Sequence, residues 1–374
     1  MITTPLTRRG FARAALATLV FGGALAAGTG SALAADGWKA RWDKTVAAAE
    51  KEGALNVSGP SGRQWTKLLQ EFGKAYPKIK ISVTPFNSRD FWPRLLKERE
   101  VGKHLWDLRV GGADTQVYPL AKSGGLADVR SMMILPEVAD EKNWHGGFDH
   151  MFLDNAKKFV PSFGAYESPL AWNNRAFIKD GEVKDIRDLL NPKWKGKIAM
   201  ANPRGGSTAV SMALVYKDKN LGPDFIRDLF TKQKPVIGKN SRQLLDWFVA
   251  GKYPIGIGLS NSQVVRYRTR GVKFDMGRIS GLKIWSVGVA GIQVMNPRPH
   301  PNASIVFVNW LMTQKTQARI MPKVKVNSRR KDVPIADPGR ALDWNNYQDA
   351  VSGQTEAFTQ AMVDAKKLIR QLVK

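Results

Sequence analysis

The stretch Ile198–Tyr216, IAMANPRGGSTAVSMALVY, decides the fold. It reads as a short apolar strand (Ile198–Ala201), a turn (Asn202-Pro203-Arg204-Gly205-Gly206) and a buried helix from about Thr208, with Ser207 or Thr208 placed to cap it. Such a turn aims backbone N–H groups and the positive end of a helix dipole at whatever lies above it, which suits a carboxylate, phosphate or sulfate. The same grammar recurs three times. Leu55–Val57 runs into Ser58–Arg63, including Ser61 and Gly62, and then a helix with Trp65, Leu68, Leu69 and Phe72 on one face. Leu108–Val110 runs into Gly111-Gly112-Ala113-Asp114-Thr115 and a helix carrying Val117, Leu120 and Ala121. Ile255–Leu259 runs into Ser260-Asn261-Ser262 and a helix over Gln263–Arg268. Four strand–loop–helix units predict an α/β fold whose loops gather at the carboxyl ends of parallel strands, where open α/β sheets bind ligands. The plainer reading of any single loop is an ordinary connection.

The first 34 residues read as an export signal. Thr7-Arg8-Arg9-Gly10-Phe11-Ala12-Arg13 precedes the apolar run Ala14–Ala27, and Ala32-Leu33-Ala34 is a small-x-small cleavage site. A paired arginine followed by an aromatic points to the twin-arginine route, with cleavage after Ala34 and a periplasmic product. A Sec signal or an uncleaved anchor is the alternative. The apolar core is short and interrupted by Gly22 and Gly23, which disfavours a permanent span, and no cysteine follows the cleavage site to carry a lipid.

Removing 34 residues and three arginines from 374 residues and a net charge of +26 leaves 340 residues at +23, enough for two domains. The absence of cysteine excludes disulfides, thiolate catalysis, cysteine-ligated zinc and iron–sulfur clusters. The positive charge is spread along the chain, and no nucleic-acid recognition module accompanies it, so it fits anionic surroundings or an anionic ligand steered from a distance.

Gly37–Glu50 reads as a first helix, Ile79–Val83 as a half-exposed strand, and Ser88-Arg89-Asp90 as the start of a helix burying Phe91, Leu95 and Leu96. The proline-punctuated run Phe159–Ala171 is too broken for a helix. Within it, Tyr166–Ala171 is read as a segment crossing into a second lobe, with Ile284–Val294 as the return. Residues 35–168 then form the first part of lobe 1, 169–285 lobe 2, and 286–374 the return to lobe 1 with the C-terminal helices. These include Ala303–Met312 and a final helix over Glu356–Leu372.

Four stretches carry a family resemblance: Trp106–Gly112 with Ala121–Leu126, Asn191–Pro203 (NPKWKGKIAMANP), Leu245–Gly258 (LDWFVAGKYPIGIG) and Asn296–Gln317. On these the chain resembles the periplasmic solute-binding proteins of ABC importers, in the branch called extracellular solute-binding protein family 1. Within it, the chain is similar to the ferric-ion-, polyamine-, thiamine- and phosphosugar-binding relatives. The resemblance implies a two-lobed periplasmic binding protein fold of type II, with ligand held between lobes joined by two extended crossovers and released by hinge motion. It also implies a monomer that hands its solute to an inner-membrane ABC permease, with no cofactor and no chemistry of its own. Ferric relatives place adjacent tyrosines in the loop after the fourth unit, phenolates being hard ligands for a hard cation. Here that loop is Ser260-Asn261-Ser262-Gln263, Tyr267 lies further on, and no two tyrosines are adjacent.

The expected solute is therefore a small organic, phosphorylated or sulfonated anion, with ferric iron, a polyamine or thiamine as alternatives. The candidate ligand-binding residues are Ser61, Gly62, Arg63, Gly112, Ala113, Asp114, Arg204, Gly205, Gly206, Ser207, Thr208, Asn261 and Ser262. Tyr166 and Trp285 are expected as aromatic walls. Arg63 and Arg204 offer the planar fork that captures an anion bidentately, and equally read as solvated surface arginines. Arg89 carries the same reading more weakly, and Asp114 reads as a ligand acceptor or a helix cap. Trp65, Trp247 and Trp310 fall at core spacing. His145 and His150 are five apart, off one helix face, and with Asp149 and Asp154 make only a loose metal candidate beside a plain surface loop. A twin-arginine-exported enzyme is the remaining alternative, against which stands the lack of any Gly-x-Ser-x-Gly, His-Glu-x-x-His or Walker motif.

Overall fold

The computed structural model describes residues 29–113, 116–345 and 351–373. Among them twelve strands follow in chain order: β1 (Ala54–Gly59), β2 (Lys80–Pro85), β3 (Leu108–Val110), β4 (Gly164–Glu167), β5 (Ala171–Asn174), β6 (Ile198–Met200), β7 (Val236–Ile237), β8 (Ile255–Ile257), β9 (Met276–Ile279), β10 (Trp285–Ser286), β11 (Ile292–Val294) and β12 (Asn327–Ser328). They form three sheets, ordered β11-β3-β1-β2, β10-β4-β12 and β7-β6-β8-β5-β9. The fold is mixed α/β.

In the first lobe β1 runs parallel to β2 and β3, and β11 closes the edge antiparallel to β3. Leu55, Val57, Leu108 and Val110 are fully buried between helices on both faces, as parallel strands require. In the second lobe β6 runs parallel to β7 and β8, β5 pairs antiparallel with β8, and β9 pairs antiparallel with β5, so that β5 alone runs against the other four. The chain passes from β4 of the middle sheet to β5, and returns from β9 to β10, and β4 and β10 pair antiparallel with Ser286 opposite Tyr166. The return segment is thus two short strands rather than one long run. Gly288 breaks it, at φ +53°.

The last helix, Thr359–Leu372, packs on the helix Gly206–Lys217 of the second lobe, burying Ala361, Met362, Ala365, Leu368 and Ile369. Before it, Val351 pairs with the return crossover: Trp285 N–H donates to Val351 C=O at 3.0 Å, and Val351 N–H to Lys283 C=O at 2.9 Å. The C-terminal segment is therefore a third strap between the lobes.

Some local expectations change. The first helix runs Thr29–Glu52, across Ala32–Ala34, while the twin-arginine motif lies outside the described residues. No described helix is long and apolar enough to cross a membrane. Leu96 is 41% exposed, because the buried stripe of Ser88–Glu100 is Phe91, Leu95 and Trp92, and Leu96 lies about 40° beyond Trp92, outside the stripe's edge. Trp65 and Trp310 are buried, but Trp247 is only half-buried, edge-on to Tyr253.

Candidate functional site

Two helices of the second lobe start side by side. Because β6 and β8 are adjacent and parallel, the turns that follow them emerge at the same sheet edge. The helix Gly206–Lys217 starts after Gly205, and Asn261–Thr269 starts after Ser260; neither has a side-chain cap hydrogen bond at its N-terminus. Ser207 and Thr208 are not caps, since the extended residue ahead of the helix is Gly205 (φ −153°) and both lie inside the first turn. Ser207 is exposed, whereas Thr208 is buried and faces the other loop. The contact is close. A Cβ added at Gly258 would stand 2.3 Å from Thr208 Oγ1 and 3.1 Å from the Ala201 Cβ, and Gly258 has φ +74°. Glycine is required there by both space and conformation.

The matching edge of the first lobe is built differently. Ser61, Gly62 and Arg63 follow β1 and are exposed, and Gly62 takes φ +113° ahead of the helix Arg63–Gln70. Gly112 and Ala113 follow β3 and are buried; Asp114 lies outside the described residues. A Cβ at Gly112 would meet Gly288 O at 2.3 Å, so that glycine permits the loop to touch the hinge backbone. Beneath these loops Arg109 is 2% exposed. It donates to Ser58 Oγ at 2.7 Å and Ser88 Oγ at 3.1 Å, and its guanidinium stacks over Phe91 at 4.8 Å. Period-two alternation gives no hint of this burial, since all three residues of β3 are buried.

The C-terminal strap joins the two edges. Gln354 Oε1 accepts from Ser286 Oγ at 2.8 Å and Val287 N–H at 3.0 Å, Nε2 reaches Ala113 C=O at 3.5 Å, and Tyr118 donates its hydroxyl to Gln354 C=O. Its neighbour Gly353 abuts Val210 of the helix Gly206–Lys217, where a Cβ would meet Val210 Cγ1 at 2.7 Å. Two consecutive residues therefore span from the Gly112–Ala113 loop to the second turn of the helix at Gly206.

The other candidates are placed as follows. Arg204 is exposed and donates to Val373 C=O, so its fork holds the chain end in this conformation. Tyr166 is half-buried at the hinge, against Gly288, with the Arg340 guanidinium 4.3 Å from its ring. Trp285 is 8% exposed and stacks under Arg329 at 4.6 Å. Strand β4 of the middle sheet is tied to β9 of the second lobe by the Glu167–Arg278 ion pair. His145 stacks on Trp344 at 4.6 Å; burial, together with Lys331 and Arg329, lowers its pKa to about 4. Such a ring is neutral at physiological pH. Two surface hollows of about 360 and 400 Å³, around Trp144–Phe148 and Tyr76–Trp310, hold none of the candidate ligand-binding residues; Asp149 lines the first.

The pattern of bacterial extracellular solute-binding proteins matches residues 56–318. Among solved structures, iron-bound HitA from Pseudomonas aeruginosa is similar, at 16% identity and TM-score 0.65, covering 86% of this chain and 99% of that one. Apo ferric ion-binding protein A from Pasteurella haemolytica gives 13% identity and TM-score 0.65, covering 86% and 98%. IdiA (FutA) from Trichodesmium, in complex with iron and citrate, gives 15% and 0.63, covering 86% and 99%. At these identities the likeness is one of fold. Among curated proteins none matches the sequence.

Proposed function

The chain belongs to the bacterial extracellular solute-binding protein family, and we propose that it is the periplasmic receptor of an ABC importer for a small anionic solute. The solute class is an organic carboxylate or a phosphorylated or sulfonated compound, held between the lobes and delivered to an inner-membrane permease. Export, with cleavage after Ala34, is part of this reading, as is a two-lobe division near residues 168 and 285.

The observation that carries the anion is the pair of helix starts at Gly206 and Asn261, locked together by Gly258 against Thr208. Amide N–H groups at the positive ends of two helix dipoles favour an anion and disfavour a cation. Lobe closure brings the Gly112–Ala113 loop and the exposed Arg63 toward them. Opening Arg204 away from Val373 adds a bidentate partner. The protein does no chemistry in this account: affinity and a closed shape are its output.

The ferric alternative draws on the fold likeness to ferric-binding proteins. Iron capture would need phenolates, and the described tyrosines near the cleft are engaged: Tyr118 with Gln354, Tyr166 with Arg340, and Tyr267 with the Asp246 carboxylate, which raises its pKa. A thermal-shift titration against sugar phosphates, phosphonates, sulfonates and carboxylates, with spermidine, thiamine and ferric citrate as the counter-panel, separates the readings. A ligand at 100 times its Kd stabilises by about 2.7 kcal/mol, a shift of several degrees. The expected result is a shift from one anionic class alone. A shift from iron alone, with a visible tyrosinate band, overturns the proposal.

A further inference from the structure

The second lobe carries most of the net positive charge: residues 169–285 hold 22 Lys and Arg against 9 Asp and Glu. Strand register shows where part of it goes. β6 pairs with β7 so that Ala199 faces Val236, which puts Lys197 beside Lys234 one step before the strands begin. β6 pairs with β8 so that Ile198 faces Ile255, which puts Lys197 beside Pro254, next to Tyr253 and Lys252. Asn174 N–H donates to Pro254 C=O at 2.8 Å, adding Arg175 to the row. Gly196 N–H donates to Gln233 C=O at 2.9 Å, drawing Lys195 against Lys232–Lys234. These basic residues are all exposed. They line the amino ends of β6, β7 and β8, opposite the cleft.

The carboxylates near this end are already matched. Asp180 and Asp275 lie 3.8 and 3.6 Å from Arg175, Glu182 3.7 Å from Lys193, and Asp228 2.8 Å from Lys232. Among the described residues no carboxylate pairs with Lys195, Lys197, Lys234 or Lys252. Apolar surface accompanies the charge. Phe177 is 56% exposed, its ring lying over Gly251, where an added Cβ would stand 2.4 Å from it. Beside it Lys252 Nζ lies 5.6 Å from the Trp247 ring and 5.7 Å from the Tyr253 ring.

We propose that this end of the second lobe is a docking surface for an anionic lipid membrane. The unmatched cations are lysines, point charges without the fork that reads single carboxylates or phosphates, and they suit a field of headgroups better than one partner residue. An exposed phenylalanine with half-buried Trp247 and Tyr253 supplies the amphipathic component that settles at the headgroup level. The docked protein keeps its cleft, at the other end of the same strands, open to solvent.

The test is sedimentation of the processed protein (residues 35–374) with vesicles of phosphatidylcholine alone or with one part in four phosphatidylglycerol, at low salt. Each lysine near an anionic surface contributes roughly fivefold, so K195Q/K197Q/K234Q lowers partitioning into the anionic vesicles on the order of 100-fold. F177S lowers it roughly threefold or more, and 0.5 M salt weakens binding of the wild type. The control K44Q/K51Q/K67Q removes equal charge from exposed positions of the first lobe, and changes partitioning by no more than about threefold. An equal loss in both triple variants assigns the effect to net charge and overturns the proposal. Equal binding to both vesicle types overturns it as well. So does binding of soluble polyglutamate with no vesicle binding, which would assign the surface to an acidic protein.

Discussion

The two lobes share one grammar and differ in where they put charge. Among the described residues, Asp107, Arg109, Asp154, Arg329 and Arg330 are buried charges, and all five belong to the first lobe or its return. The second lobe, with the larger net positive charge, buries only neutral polar groups: Asn173, Asn174, Thr208 and Gln233. Burying a charge is costly unless its partners are fixed, and partners that are fixed cannot rearrange freely. The first lobe therefore acts as a rigid frame. The second keeps its charge on the outside, and its two adjacent helices start at Gly206 and Asn261 without side-chain caps.

The largest effect expected from this contrast is in the frame. Arg330 donates to Asp332 at 2.7 and 2.8 Å, to Glu137 C=O at 2.9 Å and to Met312 C=O at 3.1 Å, while 1% of its side chain is exposed. Arg330→Ala leaves the Glu137 and Met312 carbonyls without their donor and removes a buried side chain, and is expected to cost about 2–4 kcal/mol in denaturant unfolding. Arg278→Ala, at the exposed ion pair with Glu167, is expected to cost no more than about 1 kcal/mol. Equal costs would erase the contrast between the lobes.

A smaller effect is carried by pH. The folded pKa of His145, about 4, lies below its ordinary 6.5, so the folded state prefers the neutral ring. The stability this contributes is complete above pH 6.5 and is lost as pH falls toward 4. Allowing for the partial exposure of the ring, the wild type should lose about 1–2 kcal/mol more than His145→Phe between those limits. Phe keeps the stack on Trp344. Parallel pH curves for the two proteins would show that the ring titrates normally.

The smallest effect concerns the strap. Gln354→Ala removes the acceptor of Ser286 Oγ and Val287 N–H and is expected to cost about 1 kcal/mol. Its more telling readout is the radius of gyration without ligand, which should rise if Gln354 holds the lobes at their present spacing. An unchanged radius would make the strap a passive connection.

Much of the fold was legible because the informative signals are local. Strand, small-residue turn and periodic helix are written within some twenty residues, and the units at β1, β3, β6 and β8 follow them. Strands β5 and β9 were not, because neither leads through a small-residue turn into a periodic helix and their mutual pairing spans about a hundred residues of chain. The strap was hidden for the same reason: Val351 meets Lys283 and Trp285 across a gap of more than sixty residues, and nothing in either segment announces it. Arg109 reads from sequence as a polar strand position, and only the hydroxyls of Ser58 and Ser88 with the rings above explain its burial. The helix starts were the reverse case. Gly205, Gly206 and Gly258 marked them openly, but their contact through Thr208 is a matter of sheet order.

The most direct test is calorimetric titration of the anion selected by the thermal-shift panel into the wild type and Gly258→Val. The substitution strains a positive φ and drives side-chain atoms into Thr208, separating the two helix starts while leaving the first lobe untouched. The account predicts one site per chain in the wild type and affinity reduced at least roughly 100-fold in the variant, about 2.7 kcal/mol, with the first lobe's unfolding unchanged. Wild-type affinity in Gly258→Val would show that the solute is held elsewhere.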